Sequence, residues 1–155
     1  MSTTINSEES AGVRIIDAEP PHISLEPKRS VSVIFTSCNL TVKALEKAAE
    51  MAKPLRANIV VVAVQAVPYS VPLDRPPVPM EFVMRRFEEA ASRYPEKIQV
   101  FGYLCRDPME AFKRILNHHS PVVMGIRKRW WPTRDEKLSR RLRRAGYDVI
   151  SVNQE

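Results

Sequence analysis

The run Asn58–Val67, NIVVVAVQAV, constrains this chain more than any other stretch. It is almost wholly apolar and too rich in β-branched residues to favour a helix. A strand with one wet face would alternate polar and apolar positions, and this one does not. Such runs mark strands covered on both faces, as in parallel sheets. Parallel neighbours need crossover connections, usually helical, so the rest of the chain should alternate short strands with helices.

That alternation is present. Val31–Thr36 (VSVIFT) reads as a strand. Ser37-Cys38-Asn39 is a turn from which Asn39 can cap a helix over Leu40–Leu55. Ala44, Leu45, Ala48, Met51, Ala52 and Leu55 keep helical spacing there, with Pro54 near the end. Pro68–Pro79 holds five prolines and predicts a stiff extended loop, either a functional loop or a connector. Met80–Tyr94 predicts a second helix on the stripe Met80, Val83, Phe87, Ala91 and Tyr94. Lys97–Leu104 predicts a strand.

Asp107-Pro108-Met109-Glu110 has the chemistry of a helix start, with Phe112, Ile115 and Leu116 facing inward and His118 and His119 closing the helix. Pro121–Met124 is the next strand. Thr133-Arg134-Asp135-Glu136 is a capping box opening a helix that carries Leu138, Leu142 and Ala145 and stops at Gly146. Asp148–Val152 is the last strand. The order βαβαβαβαβ implies a doubly wound parallel sheet with helices on both faces. Ligands in such sheets bind at the carboxyl ends of the strands, where strand order reverses.

Residues 29–155 are expected to form this one domain. Residues 1–28 are polar, with Pro20, Pro21 and Pro27, and predict a flexible extension or linker; Val13–Ile16 is at most a short docked strand. The start MSTTINSEESAG has neither the basic beginning nor the apolar core of a secretory signal. No apolar run reaches the roughly 18–20 residues a transmembrane segment needs. Cys38 and Cys105 lack metal-type spacing and suit a reducing compartment, so the expectation is a cytoplasmic protein with no metal site.

The net charge is +6 but uneven. Between Ile126 and Arg144, nine Lys/Arg stand against Asp135 and Glu136, so this segment carries +7 and the remainder −1. A local excess suggests a local anionic partner. It follows the stretch Pro121–Trp131, PVVMGIRKRWW, where an apolar strand leads through a glycine into a basic, aromatic turn. The arginines of the last helix read either as a solvated face or as contacts to nucleic acid or a lipid headgroup. Nucleic acid is the weaker partner, because no aromatics are interleaved along that helix. Trp130 and Trp131 read as packing over the sheet end or a dimer contact, with stacking on a ligand as the alternative.

Several of these stretches resemble the universal stress protein family, over roughly Val31–Val152. Thr36-Ser37-Cys38, followed by Ala44-Leu45, sits where that family has Asp-Gly-Ser and then Ala-Leu. Asp107-Pro108-Met109-Glu110-Ala111 is similar to the family's Gly-Asp-Pro-x-Glu-Ala, and Pro121-Val122-Val123-Met124-Gly125 to its Asp-Leu-Ile-Val-Met-Gly strand. The resemblance implies a five-stranded parallel sheet in the order 3-2-1-4-5, Rossmann-like and of the adenine nucleotide alpha hydrolase type. It also implies a homodimer joined through the last strand. Many members bind ATP and others do not. The tail from Trp130-Trp131 to Val152 is also similar to stress-protein-like domains attached to potassium-sensing histidine kinases and amino-acid permeases, which implies a parent transporter or kinase.

The chain departs from the family at the phosphate loop. ATP-binding members carry Gly-x2-Gly-x9-Gly-Ser/Thr after strand four, and only Gly125 is kept here. Lys128 takes the second glycine position. Counting forward puts Leu138-Ser139 at the Gly-Ser pair, counting back puts Asp135-Glu136 there, and the capping box offers Thr133. Thr36 replaces the strand-one Asp, and Arg106 falls where a glycine precedes helix three. Glycines let backbone N–H groups approach phosphates, whereas Arg and Lys hold phosphate with side chains.

The ligand-binding candidates are Thr36, Ser37 and Cys38 after strand one, Val64 in strand two, and Gly125, Arg127 and Lys128 at strand four. Thr133 and Ser139 complete the set. No catalytic residue is expected, since Thr36 and Ser37 lack an evident base. The expected protein is a non-enzymatic regulatory, stress-related interaction domain without a resident cofactor. The alternative is a sensor of ATP, another adenine nucleotide or a small anion, held by basic side chains.

Overall fold

The computed structural model describes residues 30–67, 69–70, 85, 87, 89, 91–93 and 98–154. The expectations for residues 1–28 and for the proline-rich loop lie outside the described residues, Tyr69 and Ser70 apart. Five strands and three helices are bounded: β1 Ser30–Ile34, α1 Cys38–Leu55, β2 Asn58–Ala66, β3 Ile98–Cys105, α2 Pro108–Ile115, β4 Val122–Arg127, α3 Arg134–Arg144 and β5 Val149–Gln154. Of the helix expected over Met80–Tyr94, Arg85, Phe87, Glu89 and Ala91 are described and helical.

The strands form one all-parallel sheet in the order β3-β2-β1-β4-β5. Val31 pairs with Ile59, Val33 with Val61, and Ser32 with Val122. The doubly apolar run in β2 serves both faces. Ile59, Val61 and Ala63 join Val31, Val33, Leu45, Ala48 and Phe87 on the α1 side. Val60 and Val62 join Ile34, Phe112, Met124, Leu142 and Val149 on the side of α2 and α3. Phe87 is fully buried and meets Phe35 edge to face, ring centroids 5.4 Å apart.

Three local expectations are corrected. Helix α1 starts one residue before Asn39, and Ser37 is its cap: its Oγ accepts from the Leu40 N–H at 3.5 Å. Asn39 therefore lies inside the first turn. Helix α2 ends at Ile115, because Leu116 turns to an extended conformation (ψ 140°). His118 and His119 lie in the turn beyond, where Asn117 Oδ1 accepts from the His119 N–H at 2.9 Å. Strand β4 runs three residues past Met124. Gly125 pairs with Val152 and Arg127 with Gln154, so Ile126 and Arg127, expected in the basic turn, are strand as well.

The other helix boundaries follow capping chemistry. Asp107 Oδ1 accepts from the Met109 N–H at 3.0 Å, with Pro108 as the first helical residue. Thr133 Oγ1 accepts from the Glu136 N–H at 3.2 Å. Glu136 does not complete a reciprocal box, since its carboxylate pairs with Arg140 at 3.0 Å. Gly146, at φ 95°, supplies the left-handed turn after α3.

Candidate functional site

Strand order reverses between β1 and β4, and the chain segments leaving their carboxyl ends meet there. Thr36 ties the two strands together. Its hydroxyl donates to the Gly125 carbonyl at 3.1 Å, and its own N–H donates to Thr41 Oγ1 at 3.1 Å. Thr41 is fully buried and donates its hydroxyl to the Ser37 carbonyl at 2.6 Å. The hydroxyls of Thr36, Ser37 and Thr41 are thus engaged in holding the first turn of α1 against the sheet. Thr41 was not among the sequence candidates; its spacing of four from Ser37, one helical turn, is the only signal that could have marked it.

Gly125 sits where α1 presses hardest on β4. A methyl group built on it would lie 2.6 Å from the Leu40 carbonyl carbon and 2.8 Å from Leu40 Cβ. This glycine is required by close packing between a helix start and a strand, whatever binds nearby. Cys38, the first residue of α1, is half-buried and its thiol is free. Val64 pairs with Tyr103, two residues past the partner of Ile34, and packs with the core on the α2–α3 side.

Arg127 and Lys128 are exposed at the end of β4 and just beyond it. Thr133 caps α3, so its oxygen already serves that helix. The first turn of α3 also contains Asp135 and Glu136, whose negative charge offsets the helix dipole where an anion would dock. Burial pushes the Asp135 carboxyl above its usual range, opposed by the neighbouring Arg134.

Ser139 is removed from this grouping. It is 1% exposed, and its hydroxyl lies 3.3 Å from Ser151 Oγ, in the layer between α3 and β5. It sits in the second turn of α3, and Leu138, not glycine, precedes it, so it cannot act as a loop hydroxyl. The structure therefore brings Thr36, Ser37, Cys38 and Gly125 together at the switch point. It sets Arg127 at the end of β4 and Lys128 and Thr133 along the loop that follows, and leaves Ser139 in the interior.

Arg106 lies in the loop between β3 and α2, where the family's glycine was expected, and its side chain turns back onto the end of β2. Its Nη1 donates to the Val67 carbonyl at 3.2 Å, and its guanidinium lies 5.4 Å from the centre of the Tyr69 ring. Beside it, the Cys105 thiol contacts the Gln65 carbonyl at 3.7 Å, and burial, helped by Asp107, pushes its pKa up to about 11. Trp130 and Trp131 do not pack over the sheet end. They are 92% and 75% exposed and lean on one another, with centroids 6.4 Å apart. His118 stacks on Tyr147 with ring centroids 4.1 Å apart. Among the described residues, no helix is long and apolar enough to cross a membrane.

No protein-family model matches the sequence, and no curated protein matches it. A universal stress protein solved in complex with cAMP is similar in structure: its TM-score is 0.55 and its identity 14%, with 84% of this chain and 100% of that chain covered. The likeness establishes the fold. This chain has the parallel α/β architecture of a universal stress protein, with strand order 3-2-1-4-5 and helices on both sides.

Proposed function

We propose that this protein is a non-enzymatic regulatory domain of the universal stress type that does not hold ATP in the manner of the glycine-loop members. The observation that carries the reading is the engagement of the switch point. Thr36 bonds to the Gly125 carbonyl, Gly125 is filled by the Leu40 backbone, and Lys128 stands where a second glycine would open the loop. Glycine loops work by offering bare N–H groups to phosphate, and this loop offers side chains instead. The hydroxyls of Thr36 and Ser37 bond to backbone groups, not to an acid–base partner, which supports a binding role over catalysis.

The proposed setting is cytoplasmic, as a homodimer joined along β5, one of the two edge strands of the sheet among the described residues, alone or attached to a transporter or sensor kinase. A second reading is favoured by one observation, that the similar solved protein carries cAMP. In it, Arg127 and Lys128 hold the single phosphate of an adenine nucleotide or another small anion. Calorimetric titration with ATP, AMP and cAMP separates the two. The first reading expects no saturable heat from any of them. Saturable cAMP or AMP binding lost in Lys128→Glu establishes the second, and ATP turnover would refute both.

A further inference from the structure

We infer that the β4–α3 loop and the outer face of α3 form a docking surface for anionic phospholipid membranes. Residues Arg127 to Trp131 are all exposed. Trp130 and Trp131, leaning on one another, make one apolar tip directly preceded by Arg127, Lys128 and Arg129. Behind the tip, Arg134, Lys137, Arg141 and Arg144 are exposed on α3. At about 100° per residue these four fall within an arc of roughly 80°, so they form a cationic stripe. Arg143 and Arg140 lie off it: Arg143 donates to the Val149 carbonyl and Ser151, and Arg140 pairs with Glu136. Among the described residues, Lys137, Arg141 and Arg144 have no ion-pair partner, and Arg134 interacts with the half-buried Asp135.

The arrangement fits a charged lipid plane better than a nucleic acid strand. Single strands are bound by aromatics spaced along a basic groove so that successive bases stack. Here the two indoles are adjacent and the stripe carries no aromatic side chain. Tryptophan prefers the headgroup region of a bilayer, and cations beside it are drawn to acidic lipids. Neither signal alone anchors a protein firmly, but two together do. A membrane also meets all four stripe charges with no matching shape required of it. This surface lies outside the Thr36–Gly125 contact and goes beyond the proposed regulatory role.

The chain contains only two tryptophans, so their emission reports on this tip alone. With phosphatidylserine–phosphatidylcholine vesicles at low salt, the full chain should show a blue shift and quenching by chain-brominated lipid. Both effects should be absent with pure phosphatidylcholine and reversed by raised salt. Arg141→Glu/Arg144→Glu should weaken partitioning at least about tenfold. Trp130→Ser/Trp131→Ser, followed by co-sedimentation and checked for folding by circular dichroism, should lose a similar factor. The inference is overturned by unchanged emission with anionic vesicles, or by folded double variants that sediment with them as well as the parent. Binding of oligothymidylate without vesicle binding would also overturn it and assign the surface to nucleic acid.

Discussion

Gly125 and Leu40 meet backbone to backbone: a methyl group on the glycine would come within 2.6 Å of the Leu40 carbonyl carbon. The first turn of α1 therefore rests directly on β4 at the point where the strand order reverses. Gly125→Ala should destabilise the fold by about 3 kcal/mol, because neither backbone can move without unpairing a strand or unwinding a helix start. Urea denaturation measures this directly. A midpoint equal to that of the parent protein would show that the contact is looser than described.

Thr36 fastens the same junction from the side. Thr36→Val keeps the shape but removes the donor to the Gly125 carbonyl and should cost about 1 kcal/mol. Thr36→Ser keeps the hydroxyl and should cost less. If valine is tolerated as well as serine in thermal melts, the hydroxyl bridge contributes nothing to stability.

Much of this architecture was legible in the chain. The doubly apolar β2 run, the capping residues Asp107 and Thr133, and Gly146 each act through a few neighbouring residues, and their positions hold. The site was less legible. That the strand continues past Gly125 to Arg127 depends on β5 pairing beside it, and that α1 fills the glycine's missing side chain depends on a contact between residues 85 positions apart. Ser139 kept a plausible spacing from Gly125, yet the helix turns it inward to Ser151. Trp130 and Trp131 are large and apolar, so packing was the natural expectation, and no periodicity reveals that the loop holds them out in solvent.

Arg56 closes α1 in a left-handed conformation, φ 48°, that a side chain disfavours. Its N–H bonds back to the Ala52 and Lys53 carbonyls, so the turn itself is needed. Arg56→Gly should raise stability by about 0.5–1 kcal/mol, the strain relieved exceeding the added freedom of the unfolded chain. A lowered melting temperature would mean that the arginine side chain contributes more than its backbone strain costs.

Cys105 should behave as a protonated, sluggish thiol. With its pKa near 11 it stays neutral well above the pH at which an unfolded cysteine ionises. A raised folded pKa means that the native state holds its proton more tightly. Its contribution to stability is therefore complete below about pH 8.5 and is lost as pH rises towards about 11. Alkylation by iodoacetamide at mildly alkaline pH, mapped by peptide mass, should be much slower at Cys105 in the folded chain than in urea. Equal rates would contradict the burial described.

In the proposed function, side-chain charge and bulk stand in place of the glycine loop, so that ATP has no standard seat at the β1–β4 switch point. Native mass spectrometry of the gently purified full chain tests it most directly. The expected mass carries no adenine nucleotide and is unchanged after incubation with ATP. Stoichiometric ATP or AMP on the chain, removed by Lys128→Glu, would contradict it.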